Sequence, residues 1–290
     1  MMGAYDREES EEQLQQGVYI INRARKRFRE LPELLPEPEV RSMLSIERAY
    51  TPRGSSDIFV AFHRHRACEN LERIFDIMTD REDSGGLLVY PFSIYSLIRS
   101  AIEAAAVAMW LIKPSKKAQR IFRALQVSYS DTCEVYNFYK FIYGKDAAER
   151  AKAEKHEILN RLNELKDAVG PLRQRELSPP PKYTAILKEV SPPPHGASSK
   201  GYGANPSPLV IWKIASTFLH GSSEQLIRSL SDIRQVTEFN DGAASFEIRA
   251  SIQLIAASIH GIVDLISDLD ERYIYLATHD HANKRTQGEN

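Results

Sequence analysis

Several features that usually narrow the function of a protein are scarce in this chain of 290 residues. It has only two cysteines, Cys68 and Cys133, which are too few for a disulfide framework or a cysteine-ligated zinc site and which fit a reducing compartment. Neither sign of charge dominates, because 38 lysines and arginines balance 39 aspartates and glutamates. We therefore do not expect a protein that binds nucleic acid through an overall positive charge, since such proteins neutralise phosphates with clustered cations.

The chain also lacks a long uncharged apolar segment. No run of 18 apolar residues without a charge occurs, so we expect no membrane-spanning helix and no membrane association. The first residues, MMGAYDREESEEQ, are acidic and lack the apolar centre of a signal peptide. Together these absences predict a cytoplasmic protein.

Sequence motifs for cofactors and metals are missing as well. No phosphate-binding loop, dinucleotide fingerprint, His-Glu-x-x-His, EF-hand or Cys-x-x-Cys pair occurs. His63 and His65 are two residues apart, so on a helix they do not share a face, and His65 with Glu69 has no evident third ligand. We therefore expect neither a cofactor nor a metal, and binding rather than catalysis.

What the chain does contain is a helical period of apolar residues. Leu14, Val18 and Ile21 lie on one face of an amphipathic helix predicted over 6–31, which Pro32 ends. Residues 145–168 carry many charges and a narrow apolar stripe, which predicts a peripheral helix or one arm of a helical hairpin. The same period predicts further helices over 56–81, 90–112, 115–143, 183–190, 207–219 and 243–276.

Residues 178–208 interrupt this pattern. Eight of the fifteen prolines fall there, and an unstructured segment of this length in a compact domain is usually functional or mobile. The tail over 279–290 is polar and expected to be frayed. Because strand signals are weak throughout, the sequence predicts a single all-α domain over 1–290, a multi-helix up-and-down bundle with one long Pro/Gly-rich loop.

Arg99 and Glu103 are the first candidate site residues. They are the only charges in the otherwise apolar segment 90–112, and they lie four residues apart on one helical face. One interpretation is a structural ion pair in a helical core. The other is a ligand site, in which Arg99 binds a carboxylate or phosphate through its forked guanidinium and Glu103 orients it.

A second candidate is the series Trp212, Ser216 and His220, whose spacing of four places the three side chains on one face. The structural alternative is that His220 stabilises the end of a helix, with Gly221 as the residue that follows it. The functional interpretation makes Ser216 and His220 polar members of a pocket. A Ser–His nucleophile pair lacks both a nucleophile elbow and a third member.

The order of these pieces resembles a known group of proteins. An Arg-x3-Glu in an apolar helix (97–103) is followed by Trp110, by Arg120 and Arg123, by a Pro-preceded helix over 179–190 and by Ser-x3-His-Gly over 216–221. Over roughly 88–276, the chain is similar to uncharacterised all-helical bacterial proteins of actinobacterial type near the HEPN-like superfamily. This resemblance implies a helical bundle that is often dimeric, with Arg99, Glu103, Ser216 and His220 as the shared polar cluster.

HEPN ribonucleases carry an Arg-x(4–6)-His pair that acts on RNA without a metal, and Arg272 with His279 resembles it at the loose limit of that spacing. The residue after the arginine is polar in the pattern, whereas this chain has Tyr273. The alternative interpretation of Arg272 and His279 is a solvated face or a frayed helix end.

Three hypotheses follow for the function. The first is a helical binding or regulatory protein, with Arg99, Glu103, Trp212, Ser216 and His220 forming a polar pocket for a small anionic ligand or a peptide end. The second is a HEPN-like metal-independent ribonuclease or toxin of a defence system, with Arg272 and His279 as catalytic residues and RNA as its partner. The third is a structural or assembly protein that forms homo-oligomers through the 145–168 segment.

Overall fold

The computed structural model describes residues 9–52, 54–79, 88–191, 206–220, 227, 230–238 and 245–280. Most of these residues are helical, so the all-α prediction is confirmed. The elements in chain order are α1 (Glu11–Glu30), α2 (Met43–Arg48), α3 (Ser56–Ile77), α4 (Pro91–Ile112), α5 (Lys117–Ala168), a 3-10 turn (Gly170–Leu172), α6 (Tyr183–Val190), α7 (Pro208–His220), β1 (Ser231–Gln235), β2 (Phe246–Ala250) and α8 (Ile252–Thr278).

One predicted helix is partly wrong. The segment 243–276 was expected to be helical throughout, but β2 occupies its beginning and pairs antiparallel with β1, and α8 begins only at Ile252. The sequence of β2 alternates apolar and charged residues with a period of two, which is a strand signal. The Ala- and Ile-rich residues that follow it dominated the helical prediction.

Other predicted boundaries shift by a few residues, and some fall outside the described part of the chain. Helix α1 begins at Glu11, directly after a capping box. The Ser10 side chain accepts from the main-chain N–H of Gln13, and the Gln13 side chain accepts from the main-chain N–H of Ser10. The predicted segment 183–190 is helical as expected. Gly221, most of the Pro/Gly-rich loop (192–205) and most of the tail (281–290) lie outside the described residues.

The chain divides into two compact units, each built from three separate stretches. Unit 1 comprises residues 1–32, 64–106 and 187–268, and unit 2 comprises 33–63, 107–186 and 269–290. The prediction of one domain over 1–290 stays a prediction.

Within unit 1, the beginning of α8 is held by Glu9, which lies two residues before the first residue of α1. The carboxylate of Glu9 accepts from the main-chain N–H groups of Ile252 and Gln253 at 2.9 and 3.0 Å. A carboxylate at a helix N-terminus satisfies free N–H donors and suits the helix dipole. Helix α7 packs closely on α8, because a Cβ at Gly261 would lie 2.7 Å from Cδ1 of Ile211.

Within unit 2, α5 is a helical hairpin. Gly144 interrupts it with a positive φ of 74°, which divides it into an outgoing arm (117–143) and a returning arm (145–168). At the base, buried Phe122 and Leu125 of the first arm belong to one apolar cluster with Leu162 of the second. The expectation that 145–168 forms one arm of a hairpin is therefore confirmed.

The C-terminal end of α4 belongs to unit 2, and arginines of the same unit donate hydrogen bonds to it. Arg123 donates to the carbonyl of Trp110, and Arg272 donates to those of Ile112 and Pro114 at 3.1 and 3.2 Å. Arg120 also donates to the Pro114 carbonyl, at 2.7 Å. The last carbonyls of a helix have no helical partner and carry partial negative charge, so buried cations stabilise this end.

Arg120 also forms a buried ion pair with Glu47 of α2. Both side chains are only 1% exposed, and Arg120 donates from Nε to the carboxylate at 3.0 Å and from Nη2 as well. Burial raises the pKa of Glu47, because it penalises the charged carboxylate more than Arg120 favours it. The pair therefore depends on mutual hydrogen bonding for its stability.

Among the described residues, two helices, α4 and α8, are long and apolar enough to cross a membrane by length and composition alone. In the most apolar 18-residue window of each helix, the share buried inside the protein is 72% for α4 and 56% for α8. Core helices of water-soluble proteins meet the same criterion.

Replacing Gly144 with alanine should destabilise the protein through its backbone alone. No described atom lies within 4 Å of a Cβ at this position, but a φ of 74° with a ψ of −163° is a conformation that essentially only glycine adopts, so an L side chain costs about 1–3 kcal/mol there. Urea unfolding would measure the loss. Gly170→Ala is the matched control, because a Cβ there also meets nothing and its φ is not positive. Equal midpoints for both variants would contradict the strain assigned to the turn.

Replacing Glu47 with glutamine should lower the free energy of unfolding by more, about 3–5 kcal/mol, because it leaves the buried Arg120 cation without its carboxylate. The double variant Glu47→Leu/Arg120→Met should recover part of this loss, since it removes both charges together. Calorimetric unfolding of the three proteins tests the pair. A Glu47→Gln variant as stable as the wild type would show that the pair is not a structural requirement.

Candidate functional site

The candidate site of unit 1 lies where α4 and α7 face each other. On α4, Tyr95, Arg99 and Glu103 follow at intervals of four and form one stripe. On α7, Trp212 and His220 belong to a second stripe with the same spacing. The sequence analysis named the polar residues of both stripes, but it did not name Tyr95.

The two stripes make direct polar contacts. Arg99 donates from Nε to Oε1 of Glu103 at 3.0 Å, and the indole Nε1 of Trp212 donates to the same oxygen at 2.6 Å. Nη1 of Arg99 lies 2.6 Å from Nε2 of His220, which is 121 residues away in the chain. The sequence-predicted residues Arg99, Glu103, Trp212 and His220 therefore form one network, which we call the α4–α7 cluster.

The guanidinium of Arg99 is positioned by more than hydrogen bonds. Its central carbon lies 5.3 Å from the centroid of the Trp212 ring, a cation–π distance. The side chains of Arg99 and Glu103 are 20% and 19% exposed, and His220 is exposed. The cluster is thus ordered by its neighbours on one side and open to solvent on the other.

Ser216 lies between Trp212 and His220 on α7, but it makes no hydrogen bond to the network. Its hydroxyl oxygen is buried and has no hydrogen-bond partner among the described residues. That Ser216 is a polar member of the pocket therefore stays a prediction, and the imidazole Nε2 of His220 contacts Arg99.

Tyr95 is the site residue that the sequence did not reveal. It is fully buried, its ring stacks on Phe218 at a centroid distance of 4.0 Å, and its hydroxyl has no hydrogen-bond partner among the described residues. Burial raises the pKa of Tyr95, so the phenol stays protonated. Its position four residues before Arg99 was the available signal.

Arg272 and His279 occupy a different environment, in unit 2. Arg272 donates to main-chain carbonyls at the end of α4, and burial together with the nearby Arg120 cation lowers the pKa of its guanidinium. Tyr275 contacts both residues, because its ring lies 5.5 Å from the Arg272 guanidinium carbon and 4.0 Å from the His279 ring. These contacts give Arg272 a structural role, and catalysis by this pair stays a prediction.

We describe two cavities that are lined by described residues of unit 2, and none of the predicted site residues is among their lining residues. One, of about 680 Å³, lies between the arms of α5 and is lined by residues of 131–139 and 150–158. The other, of about 240 Å³, is lined in part by Pro180, Pro181 and Tyr183 from the beginning of the Pro-rich segment. Among the described residues, no group of three or more His, Cys, Asp or Glu side chains could hold a metal ion.

In comparisons with known proteins, no family model, no curated protein and no solved structure matches the chain. The resemblance to HEPN-like proteins therefore stays a prediction, and the function is argued from the geometry of the α4–α7 cluster.

Proposed function

We propose that this protein is a binding protein and that Arg99 and His220 of unit 1 take the anionic group of a small molecule or of a peptide end. The observation that carries this proposal is the 2.6 Å contact between Arg99 Nη1 and His220 Nε2 at a solvent-accessible position. Two side chains that both favour anions converge there from different helices.

The contact fixes the direction of the hydrogen bond. A guanidinium has only donors, so Nε2 of His220 accepts from Arg99. An imidazole can also present an N–H donor, so a ring that exchanged this contact for an anion could donate to the anion from the same position.

An anion inserted at this contact would satisfy both groups. Arg99 is already neutralised by Glu103, which Trp212 holds in place, so the free cluster carries no net charge. The Nη2 of Arg99 makes no hydrogen bond to any described residue and offers a second donor beside Nη1. A carboxylate or phosphate accepts from such a fork of two donors.

The first test is titration calorimetry of sulfate, acetate and a short peptide with a free carboxyl terminus. Arg99→Met should weaken binding of the best of these probes about 10- to 100-fold, because charge-assisted hydrogen bonds are worth about 1.5–3 kcal/mol. Arg73→Met is the matched control, since Arg73 is an exposed arginine of unit 1 outside the cluster. Circular dichroism checks that both variants fold.

Unchanged affinity in a folded Arg99→Met variant would exclude this assignment. Failure of the wild type to bind any of the three probes would exclude this class of ligand.

The second test is sulfate binding by a variant of the second anion-binding side chain. His220→Phe should weaken sulfate binding, because it keeps a ring at this position but removes the ring N–H that would donate to the anion. Titration calorimetry of the wild type and the variant at one pH measures the difference. If the two proteins bind sulfate equally, His220 takes no part in binding.

A further inference from the structure

The turn of the α5 hairpin exposes an unusual concentration of large apolar side chains. We call residues 135–145, with the sequence VYNFYKFIYGK, the hairpin tip. Six of its apolar side chains are between 44% and 86% exposed, namely Val135, Phe138, Tyr139, Phe141, Ile142 and Tyr143. Contiguous apolar surface of this kind on a protein marks an interaction site rather than ordinary surface variation.

The tip is held on an ordered support. At the base of the hairpin, the two arms share an apolar cluster that includes Phe122 and Leu162, with the ring of Tyr50 packed against it. Among the described residues of α5, the exposed large apolar side chains all lie between Val135 and Tyr143. The described part of unit 2 therefore leaves the tip exposed.

The charges of the tip are all of one sign. Between Glu134 and Asp146 the sequence has two lysines, Lys140 and Lys145, and no aspartate or glutamate. Aromatic and aliphatic side chains flanked by lysines are typical of segments that lie in the interface of a bilayer, where the rings sit at headgroup level and the cations attract anionic lipids.

We propose that the hairpin tip docks into the interface of an anionic lipid bilayer. Phe141 and Ile142 would enter the acyl boundary, and Lys140 would contact lipid phosphates while its stem stays on the apolar side. Pairing of two tips from two copies is less favourable, because it would bring like charges together. Peripheral docking needs only an apolar face and local charge, and it does not depend on a membrane-spanning helix.

The test is co-sedimentation of the full chain with vesicles of phosphatidylcholine, with and without phosphatidylserine. Wild type should bind the serine-containing vesicles, and Phe141→Ser/Ile142→Ser should lower the partition coefficient at least about tenfold. Lys140→Glu should lower it on serine-containing vesicles only. Val40→Ser is the matched control, because Val40 is an apolar residue of unit 2 that is 89% exposed and lies outside the hairpin.

Serine substitutions on an exposed surface leave the core intact, and circular dichroism with sedimentation velocity checks each variant. Wild type that stays in the supernatant with both vesicle types overturns the proposal, as does equal binding by the Phe141→Ser/Ile142→Ser variant. A dimer that this variant dissociates, without vesicle binding, shows that a second copy covers the tip. Equal binding to both vesicle types overturns the role of the lysines.

Discussion

The end of helix α4 is the constraint on which unit 2 depends. The last residues of this helix, Trp110 to Ile112, are buried, and the last carbonyls of a helix have no partner within the helix. Arg120, Arg123 and Arg272 supply the donors, and Glu47 neutralises Arg120. Arginine suits this place because one planar group can donate to several acceptors and stays charged when buried.

The α4–α7 cluster of unit 1 uses the same residue type differently. There Arg99 is paired with a carboxylate on its own helix, but the group remains partly exposed and its Nη1 faces an imidazole. The imidazole accepts from Arg99 at a position that solvent can reach, and an anion could take its place there. The hydroxyls of Tyr95 and Ser216 are buried without a hydrogen-bond partner among the described residues, and they add polarity to the same two helices.

The α5 hairpin carries buried apolar residues at its base and exposed apolar residues at its turn. Near its base the side chains are buried between the arms, and near Gly144 they face solvent. Since the described residues of unit 2 leave the tip exposed, its aromatic side chains are better placed to contact another surface than to stabilise the fold. A protein that binds an anionic ligand in one unit and a lipid surface in the other would unite both proposals.

The sequence by itself determined the helical class, the hairpin arm over 145–168 and the two stripes of the cluster, because periodicity and i, i+4 spacing act within single elements. It missed the β1–β2 pair, since short strands carry a weak signal beside an Ala-rich helix. Only the tertiary structure decided that Arg99 meets His220 across 121 residues and that Arg272 binds carbonyls of α4. Such contacts depend on how separate helices pack, and no local pattern encodes the partner of a side chain whose neighbour lies far along the chain.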